Sequence, residues 1–313
     1  MKNVSSIKDR LKNYAKQSGR TVQGIFTIYI LERVLYRMSI SKYVNNFTLK
    51  GGILLYGLYT DDFTRATTDI DLLGGNISND KNALKTVFKE ILSMPANDPI
   101  SFDLANLEVV NITEFKKYHG VNVSTTAYLD RTRIPVNIDI GFGDIIYPER
   151  VKMDYPTLLD DESPILYTYS IYSTIAEKLE AIVSLGITNS RYKDFYDLCT
   201  IPERESLDGK LLKEAIVETF KTRKTDFDII AAFEEDFTDD HSRQQRWRGF
   251  LKTKNVSYER SFKNTVNDVK NFLMPIIEAI KFEKPFDFHW IPGSKTWESN
   301  ISMKIESPKG DPS

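Results

Sequence analysis

Three short stretches hold the residues that could do chemistry. Asp69-Ile70-Asp71 lies in a run, Thr68–Leu73, that reads as a strand. Side chains alternate along a strand, so Asp69 and Asp71 project from one face while Ile70 enters the core. Two carboxylates about 7 Å apart on one strand face repel each other unless a cation lies between them. A hard divalent ion with oxygen ligands is the usual solution, and Mg2+ suits it best when phosphates complete its shell. Taken alone, the pair is equally a solvated strand face. Upstream, Gly51-Gly52 stands where a short strand turns into a short helix. Glycines there let backbone N–H groups approach a phosphate, and a helix N-terminus adds favourable polarity. A plain tight turn uses the same residues. The third stretch is Val136–Phe142, where Val136, Ile138 and Ile140 face one side and Asn137, Asp139 and Gly141 the other. On a neighbouring strand Asp139 would complete a two-metal site or serve as a general base. On an edge strand it would be a surface acid.

The elements that must position these groups follow from periodicity. Residues 4–17 and 21–38 predict two helices, the second with Ile25, Ile28, Tyr29, Leu31, Leu35 and Met38 on one face and Arg33 and Arg37 on another. Phe47–Leu49 predicts a strand, Ile53–Leu58 a short helix, and residues 79–93 a helix. Strands follow at 106–113, 119–128 and 134–141. Beyond residue 165 the spacing turns helical, over Ile171–Leu185, Tyr192–Leu198, Leu211–Phe220, Arg243–Leu251 and Phe262–Ile280. The fold class is therefore α+β. A mixed-sheet domain with two N-terminal helices spans 1–160, a hinge falls near Pro148–Pro164, and a helical domain spans 161–282. Residues 283–313, with four prolines and little periodicity, predict a loosely ordered tail.

Composition narrows the function. The 313 residues are 41% hydrophobic and 27% charged with a net charge of -2, enough apolar material for one large domain or two modest ones. Cys199 is the only cysteine, which rules out an intrachain disulfide and a thiolate zinc site. His119, His241 and His289 lie too far apart for metal-ligand spacing. No run approaches the roughly 20 apolar residues of a membrane helix, and no apolar stretch follows the basic N-terminus, so the chain is expected to be cytoplasmic with no membrane partner. The charge is uneven. Residues 1–50 carry ten Lys or Arg against Asp9 and Glu32, and a second basic cluster comprises Arg243, Arg246, Arg248, Lys252, Lys254, Arg260 and Lys263. Such patches suit a polyanion such as RNA, with Trp247 and Tyr258 available for stacking. Solvated helix faces account for them equally.

Taken together the motifs resemble the DNA polymerase β-like nucleotidyltransferase layout, and more specifically the AbiEii/AbiGii toxin family. The matching blocks are Lys50-Gly51-Gly52, then Arg65-Ala66-Thr67-Thr68-Asp69-Ile70-Asp71-Leu72, then Val136–Asp144. Glu177-Lys178-Leu179 and Arg191-Tyr192-Lys193-Asp194-Phe195-Tyr196-Asp197-Leu198 complete the set, so the blocks span residues 49–198. The resemblance implies a mixed sheet with flanking helices and a helical domain that completes the active site. It implies a toxin of a bacterial abortive-infection system with a cognate antitoxin encoded nearby. The implied activity is Mg2+-dependent transfer of a nucleotide from an NTP to an RNA acceptor, the tRNA 3′ end in some relatives. On this basis Asp69, Asp71 and Asp139 hold a two-metal site, with Asp139 as the second metal ligand or the proton acceptor. Lys178 contacts the triphosphate, and Asp194 belongs to the site, capping its helix or orienting Lys178. Gly51, Gly52, Arg65, Thr68, Arg191 and Lys193 bind the nucleotide, Arg65 through the phosphates or an acid of the site. Asp197 reads as structural, paired with Arg191 or Lys193. One departure stands out: many polymerase β-like enzymes have Gly-Ser at the turn, and Gly52 has no hydroxyl. Backbone donors then act alone, or Thr67 or Thr68 supplies one. Nucleotide or phosphoryl transfer to a protein hydroxyl would use the same residues, whereas a non-catalytic interaction module would need none of them.

Overall fold

The helix Val22–Ser39 is apolar almost all round, and it is buried almost all round. The computed structural model that shows this describes residues 3–59, 65–112, 120–227, 229–253 and 260–299. The chain forms two compact units, residues 1–144 with 150–169 and residues 145–149 with 170–313.

The first unit opens with α1 (Val4–Gln17), capped by Asn3, and α2 (Val22–Ser39), capped by Thr21. Then come β1 (Phe47–Lys50), α3 (Gly51–Leu58), β2 (Ile70–Gly74) and α4 (Lys81–Leu92). The strands β3 (Ile100–Phe102), β4 (Glu108–Ile112), β5 (Gly120–Leu129), β6 (Thr132–Phe142), β7 (Val151–Asp154) and β8 (Ile165–Thr168) complete it. The sheet runs β3-β5-β6-β2-β1-β8-β7, with β4 also on β5. The pairs β2–β6 and β1–β8 are parallel and the others antiparallel. β6 therefore lies in the interior of the sheet, which removes the reading of Asp139 as an edge-strand acid. Ile70, Leu72, Ile138 and Ile140 are buried on one face, leaving the alternate positions for polar groups. The stretch read from sequence as a hinge, Pro148–Pro164, includes the passage from one unit to the other at residues 149–150, carries β7 and leads into β8. Both are short strands that extend this sheet, too brief to show a period.

The two arginines of α2 correct a sequence expectation. Arg33 and Arg37 are 2% and 3% exposed and serve no surface patch. Arg37 grips Asp98 through both carboxylate oxygens at 2.8 and 2.7 Å, and Arg33 Nε lies 3.4 Å from the same carboxylate. Arg33 also donates to the Glu162 carbonyl at 3.1 Å from both terminal nitrogens. The partners lie 61 or more positions away, so helical spacing could not reveal them. Beside them Glu32, 1% exposed, accepts the Leu158 N–H at 2.8 Å. Burial pushes its carboxyl up to about 8, against the lowering by the Leu158 N–H and by Arg33. Between about pH 4.5 and 8 the folded chain keeps a proton that the unfolded chain has lost, so this group's contribution is full below that window and falls as pH rises through it. Glu32→Gln, which keeps a neutral acceptor, should melt closer to the wild type at pH 5 and gain on it by several degrees at pH 8. Parallel melting curves at the two pH values check this, and a constant difference would contradict it.

The second unit comprises α5 (Ile171–Leu185), α6 (Tyr192–Thr200), β9 (Leu207–Asp208), α7 (Gly209–Arg223), α8 (Glu235–Asp239), α9 (His241–Thr253) and α10 (Phe262–Lys281). Ser170, Asp208 and Ser261 cap α5, α7 and α10. Tyr192, Phe195, Phe237 and Trp247 gather around Phe262, with ring centroids 5.3–6.0 Å from it. The expected loose tail is corrected over its described part: β10 (Phe288–Ile291) and β11 (Thr296–Ser299) pair with each other, and β10 pairs with β9. Trp290, 4% exposed, packs on Phe272 and donates to the Pro202 carbonyl at 2.7 Å. Burying this indole anchors a segment whose prolines alone suggested disorder. Residues 300–313 lie outside the described residues.

Candidate active site

Asp71 and Asp139 are Cα partners on the parallel strands β2 and β6. Partners in register present their side chains on the same face, about 4.8 Å apart between strands. Both carboxylates are half-buried. On the far side of Asp139 its partner on β5, Asn122, donates from Nδ2 to Asp139 Oδ1 at 2.7 Å. On the far side of Asp71 its partner on β1 is Lys50. Asp69 lies one residue before β2, two positions from Asp71, and its Oδ2 accepts the Thr68 hydroxyl at 3.0 Å.

The glycine turn fits onto this row. Gly51 has φ +72°, a left-handed conformation that L side chains rarely adopt, and a Cβ there would collide with the Asp71 carboxylate. The missing side chain is thus what brings the start of α3 against Asp71. At Gly52 a Cβ would stand 2.8 Å from Arg65 Nη2 and 3.0 Å from Thr67 Oγ1. Arg65 is 4% exposed and Thr67 8% exposed. Of the two threonines considered as hydroxyl donors, Thr67 is the one beside Gly52, whereas Thr68 is exposed and bonded to Asp69.

Three residues of this neighbourhood escaped the sequence reading as site residues. Lys50 Nζ donates to Asp144 Oδ2 at 3.1 Å, with the Tyr169 hydroxyl 3.5 Å away. Both Lys50 and Asp144 lie inside the motif blocks, one directly before Gly51 and one at the end of Val136–Asp144. Tyr169, just past β8, carried no signal because β8 itself was not predicted.

The donor set fits a hard divalent cation in an open site. Among the described residues no three His, Cys, Asp or Glu are grouped so that together they could hold a metal ion. The fit rests on Asp71 and Asp139, two carboxylates in register, which match the way Mg2+ is held, by one or two carboxylates with substrate oxygens completing the shell.

The second unit holds the other predicted residues. Lys178 of α5, 8% exposed, bridges two aspartates of α6: Nζ donates to Asp197 Oδ2 at 2.6 Å and to Asp194 Oδ1 at 3.2 Å. Arg191 Nε donates to Asp194 Oδ2 at 2.6 Å. Burial opposes charge on Asp194, yet Lys178 and Arg191 outweigh it and hold the carboxyl well below the usual carboxylate range. Lys178 is thus a buried ion-pair centre, and Asp194 orients it; α6 is entered at Arg191 without a side-chain cap. Asp197 is tied to Lys178, a partner 19 positions away that the expected pairing with Arg191 or Lys193 did not include. Lys193 is exposed.

The basic cluster of α9 is partly spent on structure. Trp247 is 1% exposed and donates to the Arg260 carbonyl at 3.0 Å, which corrects its expected role in stacking. Arg243 binds the carbonyls of Asn189 and Ile187, and Arg260 pairs with Asp268 and Glu203. Arg246, Arg248 and Lys252 are exposed. Tyr258 and Lys254 lie outside the described residues. Among the described residues no helix is long and apolar enough to cross a membrane.

Comparison with known proteins supplies context for this geometry. The model of one family, nucleotidyl transferase AbiEii toxin of type IV toxin–antitoxin systems, matches residues 33–267. The match runs well past Leu198, where the recognisable blocks end. No curated protein matches the chain. Two crystal structures are among those similar to it. JHP933 from Helicobacter pylori has 13% identity and a TM-score of 0.49, covering 84% of this chain and 95% of its own. A candidate nucleotidyltransferase from H. pylori has 12% identity and a TM-score of 0.48, covering 85% of this chain and 100% of its own.

Proposed function

Because the chain belongs to the AbiEii nucleotidyl transferase toxin family of type IV toxin–antitoxin systems, we propose that it transfers a nucleotide from an NTP to an RNA hydroxyl, with the tRNA 3′ end as acceptor and Mg2+ as cofactor. The family also implies an antitoxin partner. The observation that carries the reading is the registered pair Asp71 and Asp139 beside the glycine turn, where Gly51 has no side chain to keep the start of α3 away.

Asp69, Asp71 and Asp139 are the residues that would hold Mg2+, which when bound neutralises phosphate charge and polarises the α-phosphate. In the reaction an acceptor oxygen bonds to the α-phosphorus, the α–β bridging bond breaks and pyrophosphate leaves. Asp139, oriented by Asn122, accepts the proton of the attacking hydroxyl. The backbone N–H groups at Gly51 and Gly52 receive phosphate oxygens, and Arg65, packed at Gly52, adds a fixed cation. Thr67 offers a hydroxyl beside Gly52. In the second unit Lys178, Arg191 and Lys193 are the cations we assign to the triphosphate, with Asp194 positioning the first two.

The RNA reading is supported by Arg246, Arg248 and Lys252, which expose three positive charges along α9. The test is transfer of label from each α-labelled NTP to total RNA or to protein, with and without Mg2+. Label in RNA that requires Mg2+ is the expected result. Label in protein instead replaces the acceptor, and reversal of the three α9 charges should weaken RNA labelling at least tenfold. Unchanged RNA labelling in that folded variant would remove α9 as the RNA surface.

A further inference from the structure

Four adjacent strands place Lys50, Asp71, Asp139 and Asn122 in one row on one face of the sheet. The Lys50 side chain does not stay on its own strand. A Cβ on Gly141 would lie 3.7 Å from Lys50 Nζ and 3.8 Å from Asp144 Oδ2. Gly141 is two residues beyond Asp139 on β6 and shares its face. The ammonium therefore reaches across β2 to β6 and lies over Gly141. Asp144 at 3.1 Å and the Tyr169 hydroxyl at 3.5 Å hold it there, and the Lys50 and Asp144 side chains are only 15% and 10% exposed. The Tyr169 ring adds a cation–π contact at 5.1 Å.

A mostly buried Lys–Asp pair is by itself a weak stabilising device. This one lies beside two further carboxylates of the same face, Asp71 and Asp139, with Asp69 two residues before Asp71. Such a face repels any polyphosphate unless cations offset it. We propose that Lys50 is a substrate-contacting cation of the transfer centre, which receives the pyrophosphate portion of the NTP and is held for that role by Asp144 and Tyr169. This rests on the reading that Asp69, Asp71 and Asp139 form that centre.

Inorganic pyrophosphate in excess MgCl2 is a probe that avoids the choice of base. Its binding to the full-length chain is measured by calorimetry for the wild type, Lys50→Met, Lys50→Gln, Lys50→Arg and Asp71→Asn, with circular dichroism confirming fold. Both neutral variants should bind about tenfold or more weakly, while Lys50→Arg stays within about threefold of wild type. Lys50→Gln can still donate to Asp144, so it decides the matter if Lys50→Met does not fold. A neutral folded variant that binds within about twofold of wild type overturns the proposal, as does a wild type that shows no binding. Asp71→Asn separates the two levels: if it binds as wild type, the transfer centre itself is misplaced. If it loses binding while the neutral Lys50 variants keep theirs, only the role of Lys50 falls.

Discussion

Asp71→Asn should abolish nucleotide transfer, by on the order of a thousandfold or more, and leave the protein folded. Asparagine has the size and shape of the aspartate, so the fit against Gly51 and the β2–β6 register remain. What disappears is one negative charge from the middle of the Lys50-Asp71-Asp139-Asn122 row. An amide oxygen is a poor ligand for a hard cation compared with a carboxylate. Stability should change little or rise, because the repulsion between Asp71 and Asp139 is relieved. Two measurements check this: incorporation of labelled nucleotide by purified protein, and growth arrest after induced expression. If the folded variant still arrests growth as the wild type does, the catalytic reading of the row is wrong and a non-catalytic module takes its place.

Lys178→Met should act first on stability. The substitution leaves Asp194 and Asp197, 2% and 0% exposed, without their shared cation. Removing one partner of a buried ion pair costs about 3–5 kcal/mol, a large part of the roughly 5–15 kcal/mol that holds a typical domain together. The single variant is therefore expected to be largely unfolded or aggregated, and its inactivity would say nothing about the triphosphate. Lys178→Met combined with Asp194→Asn and Asp197→Asn removes the carboxylate charges that faced the lost cation and should recover most of the lost stability. If Lys178 contacts the triphosphate, this folded triple variant still transfers no nucleotide. Recovery of full transfer would assign the cluster to structure alone. Acid melts supply a second check. Asp194 is held below its ordinary value, so its contribution is present above about pH 4 and is lost as pH falls toward its folded value. The triple variant, lacking that linkage, should lose less stability than the wild type over the same acid range.

Much of the molecule was legible because it is written in local periods. α1, α2, α4, α5 and α10 repeat apolar residues at helical spacing, and each forms within a residue or two of its expected bounds. β5 and β6 alternate cleanly, so the face of Asp139 could be read before its neighbours were known. The short strands β3, β7, β8 and β10 could not be found this way. Three or four residues hold too little pattern, and they exist because a sheet edge or a partner strand pairs them.

The candidate site divides along the same line. Asp69, Asp71 and Gly51-Gly52 were visible as residue types at a set spacing, since strand alternation and turn chemistry are local rules. Which strand stands beside which is not local. Only the β2–β6 pairing made Asp71 and Asp139 neighbours, and only the tertiary fold brought Lys50 to Asp144 and Tyr169, 94 and 119 positions away. The same holds for charge. Sequence counts Arg33, Arg37 and Arg243 as potential surface, but whether a cation meets solvent, a carboxylate or a buried carbonyl depends on distant packing. Sequence by itself thus determined the chemistry available to this protein and the elements that carry it. Tertiary structure decided which charges meet, because register and burial are set by pairings that no local window contains.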